Sequence, residues 1–279
     1  MPEIARQPNL DYGSFVLKHL VPRVPVVVPG ASANAPAVRR WTPQSLAERF
    51  GERPVRVERA GAFEKVPLAE YAASITGAEG AGEPAYMRNI SLLEQLPELI
   101  EEVELPVYTT PNWLASDVLQ RFVPPVWVTW IELFLSGPGM RFPRVHVDTA
   151  MTHAWVVQVW GRKRFWAWPP MENQPNYSIH SDEQMKARGL DCRGRDLEAF
   201  FSHSAPFTGD LEPGDFLFLP TGWWHTAESV TACITLSGNF VNETNWDDFC
   251  ESWFRGLKFK EGLPSLAEMM ATGSSAPSR

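Results

Sequence analysis

The chain has 279 residues, with 25 Lys plus Arg against 33 Asp plus Glu, a formal charge of −8, 44% hydrophobic residues and 21% charged ones. That balance excludes a disordered chain and argues against a broadly basic surface for nucleic acid or an anionic membrane. No apolar run approaches the ~20 residues of a spanning helix, and the opening MPEIARQPNLDYG has no apolar leader core, so a soluble cytoplasmic protein is the expectation.

The first third alternates short apolar runs with Pro and Gly, as in VPRVPVVVPGASANAP, a pattern of short elements decorating something larger. A helix is predicted over residues 42–50, and a bent or broken one over 91–103, where Pro97 interrupts the helical spacing of SLLEQLPELIEEV. Beyond Pro124, Val, Trp, Phe, Ile and Thr dominate between the turn-forming SGPG, WPP, EPGD and PTG. Such residues suit pleated, half-buried strands. Strands are predicted at 126–136, 144–148, 154–159, 164–168, 209–211, 216–219, 225–229 and 233–241. Eight short strands with an insertion near 171–206 fit a mainly β fold, a double-stranded β-helix or cupin-like jelly roll. The chain thus reads as one domain: an α/β elaboration over 1–120, a core over 121–245 and a helical segment over 246–270. Trp246, Phe249, Trp253 and Leu257 recur at helical spacing, and that face packs on the body or in a homodimer. Cys192, Cys233 and Cys250 are too dispersed for a disulfide framework or a zinc site and read as reduced thiols.

Two segments carry the chemistry: Val145-His146-Val147-Asp148 and, far downstream, Pro220-Thr221-Gly222-Trp223-Trp224-His225. Side chains two apart on a strand share a face, so His146 and Asp148 can aim an imidazole and a carboxylate at one point. The turn at 220–222 opens the next strand with His225, a second imidazole for the same barrel mouth. Two imidazoles and one carboxylate leave open positions on an octahedral Fe(II), and the same donors suit zinc or manganese. An HxD pattern alone is weak, because a polar strand end also produces it; the companion segment gives it weight.

Together these segments closely resemble the JmjC and cupin-like class of 2-oxoglutarate oxygenases, in which HxD and a histidine after a P-x-x-W-W-H stretch bind iron. The resemblance reaches upstream to YMRNISLLEQLPEL and downstream to ITLSGNF, over roughly residues 84–245. It implies an enzyme that holds Fe(II) through His146, Asp148 and His225 and consumes 2-oxoglutarate and dioxygen. Succinate and carbon dioxide are then released, and a side chain of a protein or peptide is hydroxylated. Nothing resembles a chromatin-reading module, so histone demethylation is the less expected outcome.

Seventeen positions after His146, the segment GRKRFWAWPP supplies Lys163. A dicarboxylate that chelates iron at one end leaves its other carboxylate inside the barrel, where it needs a cation. Lys163 is the candidate, and the family lysine likewise follows Gly and one further residue, as in Gly161-Arg162-Lys163. Arg162 and Arg164 have the opposite parity, although all three could also form one solvated basic edge. By the resemblance, Tyr86 helps Lys163 hold the distal carboxylate. Ser237 and Asn239 share the parity of His225 in a regular strand. The resemblance puts Ser237 against the cosubstrate and Asn239 near its chelating end, although each could instead satisfy a backbone group.

Two positions depart from the family pattern. Pro143 replaces a frequent threonine, and THAWVV offers Thr152 and His153 in place of an asparagine. His153 reads as a surface or locally hydrogen-bonded residue, with a role behind the metal ligands or toward substrate as the alternative, and His19, His180 and His203 as structural or exposed. Trp155, Trp160, Trp166, Trp168, Trp223 and Trp224 read as core, with alternate ones at the mouth. Two competing readings keep the barrel: a metal-dependent dioxygenase or isomerase acting on a small molecule without 2-oxoglutarate, and a binding protein without catalysis.

Overall fold

The computed structural model describes residues 1–59, 62–77, 85–117, 119, 131–142, 145–170, 201 and 205–258. Their strands are β1 (Ala5–Arg6), β2 (Val26–Val28), β3 (Pro54–Arg59), β4 (Ala62–Pro67), β5 (Ala85–Ser91) and β6 (Ile131–Ser136). The second half adds β7 (His153–Trp160), β8 (Lys163–Trp168), β9 (Phe207–Leu211), β10 (Phe216–Leu219), β11 (Trp224–Ser229) and β12 (Cys233–Phe240). A nine-stranded sheet runs β1-β2-β10-β7-β12-β6-β5-β3-β4, and a three-stranded sheet runs β11-β8-β9. From β7 onward the chain passes from the large sheet to the small one and back, twice, which is the winding of a jelly roll. The expected mainly β fold, with a C-terminal helix, is the observed one.

Side-chain alternation explains why β7 is apolar on both faces. Trp155, Val157 and Val159 join Phe216, Phe218 and Leu236 on the outer face, under Phe15, Leu20, Trp41 and Leu46 of the N-terminal part. Ala154 and Val156 face inward and pack with Phe165, Ala167, Leu217 and Leu219 between the sheets. A strand buried on both sides reads as a continuous apolar run.

Local signals set the helices. Thr42 and Ser45 cap the helix Pro43–Phe50 reciprocally, each hydroxyl accepting from the other's backbone N–H at 3.0 and 2.9 Å. The 91–103 segment breaks where expected, into a helix Leu92–Gln95 and a 3-10 turn Pro97–Glu102. Proline has no N–H to continue the first helix. The C-terminal helix is Trp246–Lys258, and its Phe249 is fully buried with Leu114, Leu119 and Val241, so Phe249 packs on the body of the chain.

Six strands, β7 to β12, match their predicted ranges within two residues at either end. The strand predicted at 126–136 is described only from Ile131, and the insertion at 171–206 lies almost wholly outside the described residues. A regular strand at 144–148 is overturned. Residues 145–148 make only an isolated bridge, His146 to His225. The chain turns sharply just beyond, through left-handed backbone at Ala150 and Met151 (φ 56° and 55°), which ends any further pairing. No helix among the described residues is long and apolar enough to cross a membrane.

Gly161, between β7 and β8, has φ +70°, and a Cβ there would lie 2.0 Å from the Ala232 carbonyl oxygen. This tight crossing seats β8 against its neighbours. Gly161→Ala is expected to destabilise the fold by at least about 2 kcal/mol, seen as a lower urea midpoint with an unchanged slope.

Candidate functional site

His146 and His225 face each other at the edge of the small sheet. Each donates its backbone N–H to the other's carbonyl, at 3.0 and 2.8 Å. Residues paired this way in antiparallel chains send their side chains to one face, and the ring centroids are 4.3 Å apart. Asp148, two residues on in extended backbone, returns to that face, with Oδ2 3.8 Å from His225 Nε2. One ligand atom from each residue lies within 4.8 Å of the others, which is the spacing of donors around one metal ion.

The surroundings prepare these groups. His225 Nδ1 lies 3.1 Å from the Trp223 carbonyl oxygen, which can only accept. Nδ1 therefore carries the proton and Nε2 offers its lone pair. Burial raises the Asp148 carboxyl above its usual range, offset in part by His225 and by a hydrogen bond from the Asn239 side chain. A divalent cation would compensate the charge that burial disfavours.

The triad stands in a cavity of about 340 Å³ that also takes in Tyr86, Lys163, Ser237 and Asn239. Lys163 is 2% exposed; its Nζ donates to the Tyr86 hydroxyl at 3.3 Å and lies 5.4 Å from the Phe134 ring centroid. Burial opposes the ammonium, but Tyr86 and Cys233 outweigh it and hold the Lys163 pKa above its ordinary value, while burial also pushes the Tyr86 hydroxyl up. Among the described residues no carboxylate pairs with Lys163. A buried ammonium is costly unless an anion meets it, so this end of the cavity fits a carboxylate ligand. In the β8–β11 register His225 opposes Ala167 and Lys163 opposes Ser229. The two ends are thus four residues, about 13 Å of strand, apart.

Parity holds for the neighbouring arginines. Arg164 is exposed and pairs with Asp210 at 2.6 and 2.8 Å, and Arg162 lies 3.9 Å from Glu212, so the solvated-edge reading of Lys163 is overturned. The Ser237 hydroxyl donates to the Trp155 carbonyl at 3.0 Å, and the Asn239 amide to the His153 carbonyl at 3.4 Å. Both border the cavity while satisfying backbone groups. Thr152 also borders it, with its hydroxyl donating to the Thr149 carbonyl at 3.0 Å; Pro143 lies outside the described residues. The sequence reading missed Arg88, Glu132, Phe134 and Thr235, which line the same cavity. Two-residue spacing from Tyr86 and Ser237 pointed to Arg88 and Thr235.

None of the six tryptophans lines this cavity. Trp155, Trp166, Trp168 and Trp224 occupy the alternate positions of strands whose other residues face inward. His19 is buried, with Nδ1 3.2 Å from the Val24 carbonyl oxygen, whereas His180 and His203 lie outside the described residues. The surface reading of His153 is overturned: it is fully buried between the Phe218 and Phe240 rings. Its Nδ1 accepts from the Thr221 N–H at 3.0 Å and its Nε2 lies 2.8 Å from the Thr244 hydroxyl, both distant in sequence.

Comparison with known proteins agrees with this architecture. The Cupin-like domain matches residues 13–251, most of the chain. The chain belongs to the Cupin-like domain family. This Cupin-like chain is 26% identical over 265 residues to Lysine-specific demethylase JMJ21 of Arabidopsis thaliana, covering 92% of the chain and 27% of that protein. It is 24% identical over 260 residues to 2-oxoglutarate and iron-dependent oxygenase JMJD4 of Mus musculus, covering 85% and 60%. With Bifunctional arginine demethylase and lysyl-hydroxylase psr-1 of Caenorhabditis elegans it shares 22% over 296 residues, covering 96% and 70%. The first of these relatives is thus much longer than the stretch that this chain matches.

Burial, with a smaller contribution from Arg23, lowers the His153 pKa from 6.5 to about 3. An unfolded chain takes up a proton below pH 6.5 that the folded imidazole refuses, so this residue's contribution is present above pH 6.5 and lost as pH falls toward about 3. At about pH 5 the loss is about 2 kcal/mol. Denaturant midpoints at pH 7 and pH 5 should therefore differ more for the parent than for His153→Asn, which does not titrate.

Proposed function

We propose that this chain is an Fe(II)- and 2-oxoglutarate-dependent oxygenase that hydroxylates a side chain of a protein or peptide. The observation that carries this reading is the presence, in one cavity, of the His146, Asp148 and His225 donor set and a buried ammonium, Lys163, with no carboxylate partner among the described residues. Three donors on one side of a cation leave positions for a chelating ligand and dioxygen. A dicarboxylate is the ligand that suits both ends.

When bound, Fe(II) and 2-oxoglutarate supply the oxidising chemistry, with succinate and carbon dioxide as by-products. His146, Asp148 and His225 would hold the metal, and the Trp223 carbonyl keeps His225 in the tautomer that ligation needs. Lys163 and Tyr86 would hold the distal carboxylate through charge-assisted and neutral hydrogen bonds. Ser237 lines the cavity beside this path, and the Asn239 amide steadies Asp148. The inward apolar side chains Val156 and Phe165 limit water around the reacting end. The names of the relatives point to lysine and arginine side chains.

Succinate release from 2-oxoglutarate, dependent on added Fe(II) and supported by ascorbate, is the direct test. Its absence, together with no binding of 2-oxoglutarate to the metal-loaded chain, would leave the small-molecule cupin chemistry as the better reading. Asp148→Ala is expected to abolish this release and most metal binding while the circular dichroism spectrum is unchanged. Lys163→Ala should weaken 2-oxoglutarate binding by about 10- to 100-fold, the effect of losing a hydrogen bond to a charged group. Metal affinity in the same variant should stay within about twofold of the parent, because only the far carboxylate loses a partner.

A further inference from the structure

The turn after Asp148 and the turn before His225 are fastened together by one residue. Thr221 is 1% exposed. Its hydroxyl donates to the Met151 carbonyl at 2.7 Å, and its backbone N–H donates to His153 Nδ1 at 3.0 Å. Met151 and the preceding Ala150 both hold left-handed backbone, φ 55° and 56°, which residues with a Cβ keep only where the surroundings enforce it. A second donor, the Asn245 amide, reaches the same Met151 carbonyl at 3.2 Å.

The groups around this junction have one consistent arrangement. A backbone N–H can only donate, so His153 Nδ1 accepts from Thr221 and the ring proton sits on Nε2. Nε2 then donates to the Thr244 hydroxyl at 2.8 Å, which donates to Asn242 Oδ1 at 2.7 Å. Met151 follows Asp148 by three residues and Thr221 precedes His225 by four. Thr221 itself is not among the three ligands, and the P-x-x-W-W-H pattern treats its position as variable.

We infer that Thr221 is a positioning residue for the metal site, locking the strained turn behind Asp148 to the turn before His225 and so fixing the carboxylate against the two imidazoles. The inference rests on the reading of the triad as a metal site. The Thr221 side chain acts through the Met151 carbonyl, so its effect on metal passes through the backbone. Replacing the hydroxyl by a methyl group leaves the half-buried Met151 carbonyl with the Asn245 amide as its remaining donor among the described residues and loosens the left-handed turn from the turn before His225.

The test is a titration of the full chain with Co(II), followed by its visible absorption, beside the melting temperature of the metal-free protein. Thr221→Val should weaken Co(II) binding by about tenfold and alter the shape of the Co(II) band, with the protein still folded at the titration temperature. Thr221→Ser, which restores the donor, should return both to the parent values. If Thr221→Val does not fold, Thr221→Cys, a weak donor of similar size, takes its place and should weaken binding in the same direction. A lower melting temperature with parent-like Co(II) affinity and spectrum would overturn the inference and leave the metal site standing. A parent chain that binds no Co(II) would overturn the metal reading and the inference with it.

Discussion

The reciprocal backbone pair between His146 and His225 is the constraint on which the site depends, because register in an antiparallel pair decides which face each side chain takes. A slip of one residue along β11 would put Trp224 or Thr226 opposite His146 and turn the second imidazole out of the cavity. Asp148 follows from the same pair: extended backbone returns its side chain to the face His146 occupies. The left-handed turn beyond it then takes the chain away to β7.

Energetically, the cavity is organised by two ionisable groups of opposite sign, the half-buried Asp148 and the buried Lys163. Asp148 resists ionisation because water has been removed, and the Lys163 ammonium donates, among the described residues, to the Tyr86 hydroxyl. Burial disfavours the charged form at both ends, and at the Lys163 end Tyr86 and Cys233 more than offset it. A cation at the Asp148 end and an anion at the Lys163 end each meet an opposite charge there, and a dicarboxylate chelating that cation reaches both. The large sheet makes this arrangement affordable, since its outer face is covered by the N-terminal layer and its inner residues remain free to line the cavity.

The same alternation accounts for the tryptophans. Trp155 belongs to the outer-face core, and Trp166, Trp168 and Trp224 pack on the far side of the small sheet with Val145 and Val147. The bulk that drives folding and the side chains that line the cavity are thus interleaved along single strands. A strand such as β8 reads Lys163 and Phe165 inward, Arg164 and Trp166 outward.

The donor types were legible in the sequence because side-chain direction along a strand is a local property with period two. That rule identified His146 with Asp148, set Lys163 apart from Arg162 and Arg164, and put Ser237 and Asn239 on one face; strand ranges followed from turn residues and β-forming runs. The sequence reading failed where direction depends on what packs next to a residue. His153 looks like a polar strand end, yet β7 buries it under the N-terminal layer, and its partners Thr221 and Thr244 come from other turns. The HxD segment looks like a strand, yet it keeps one bridge. Local chemistry determined which groups could ligate a cation; only tertiary structure brought His225 opposite His146, because the register of chains distant in sequence is set by the burial of whole sheet faces and not by any short motif.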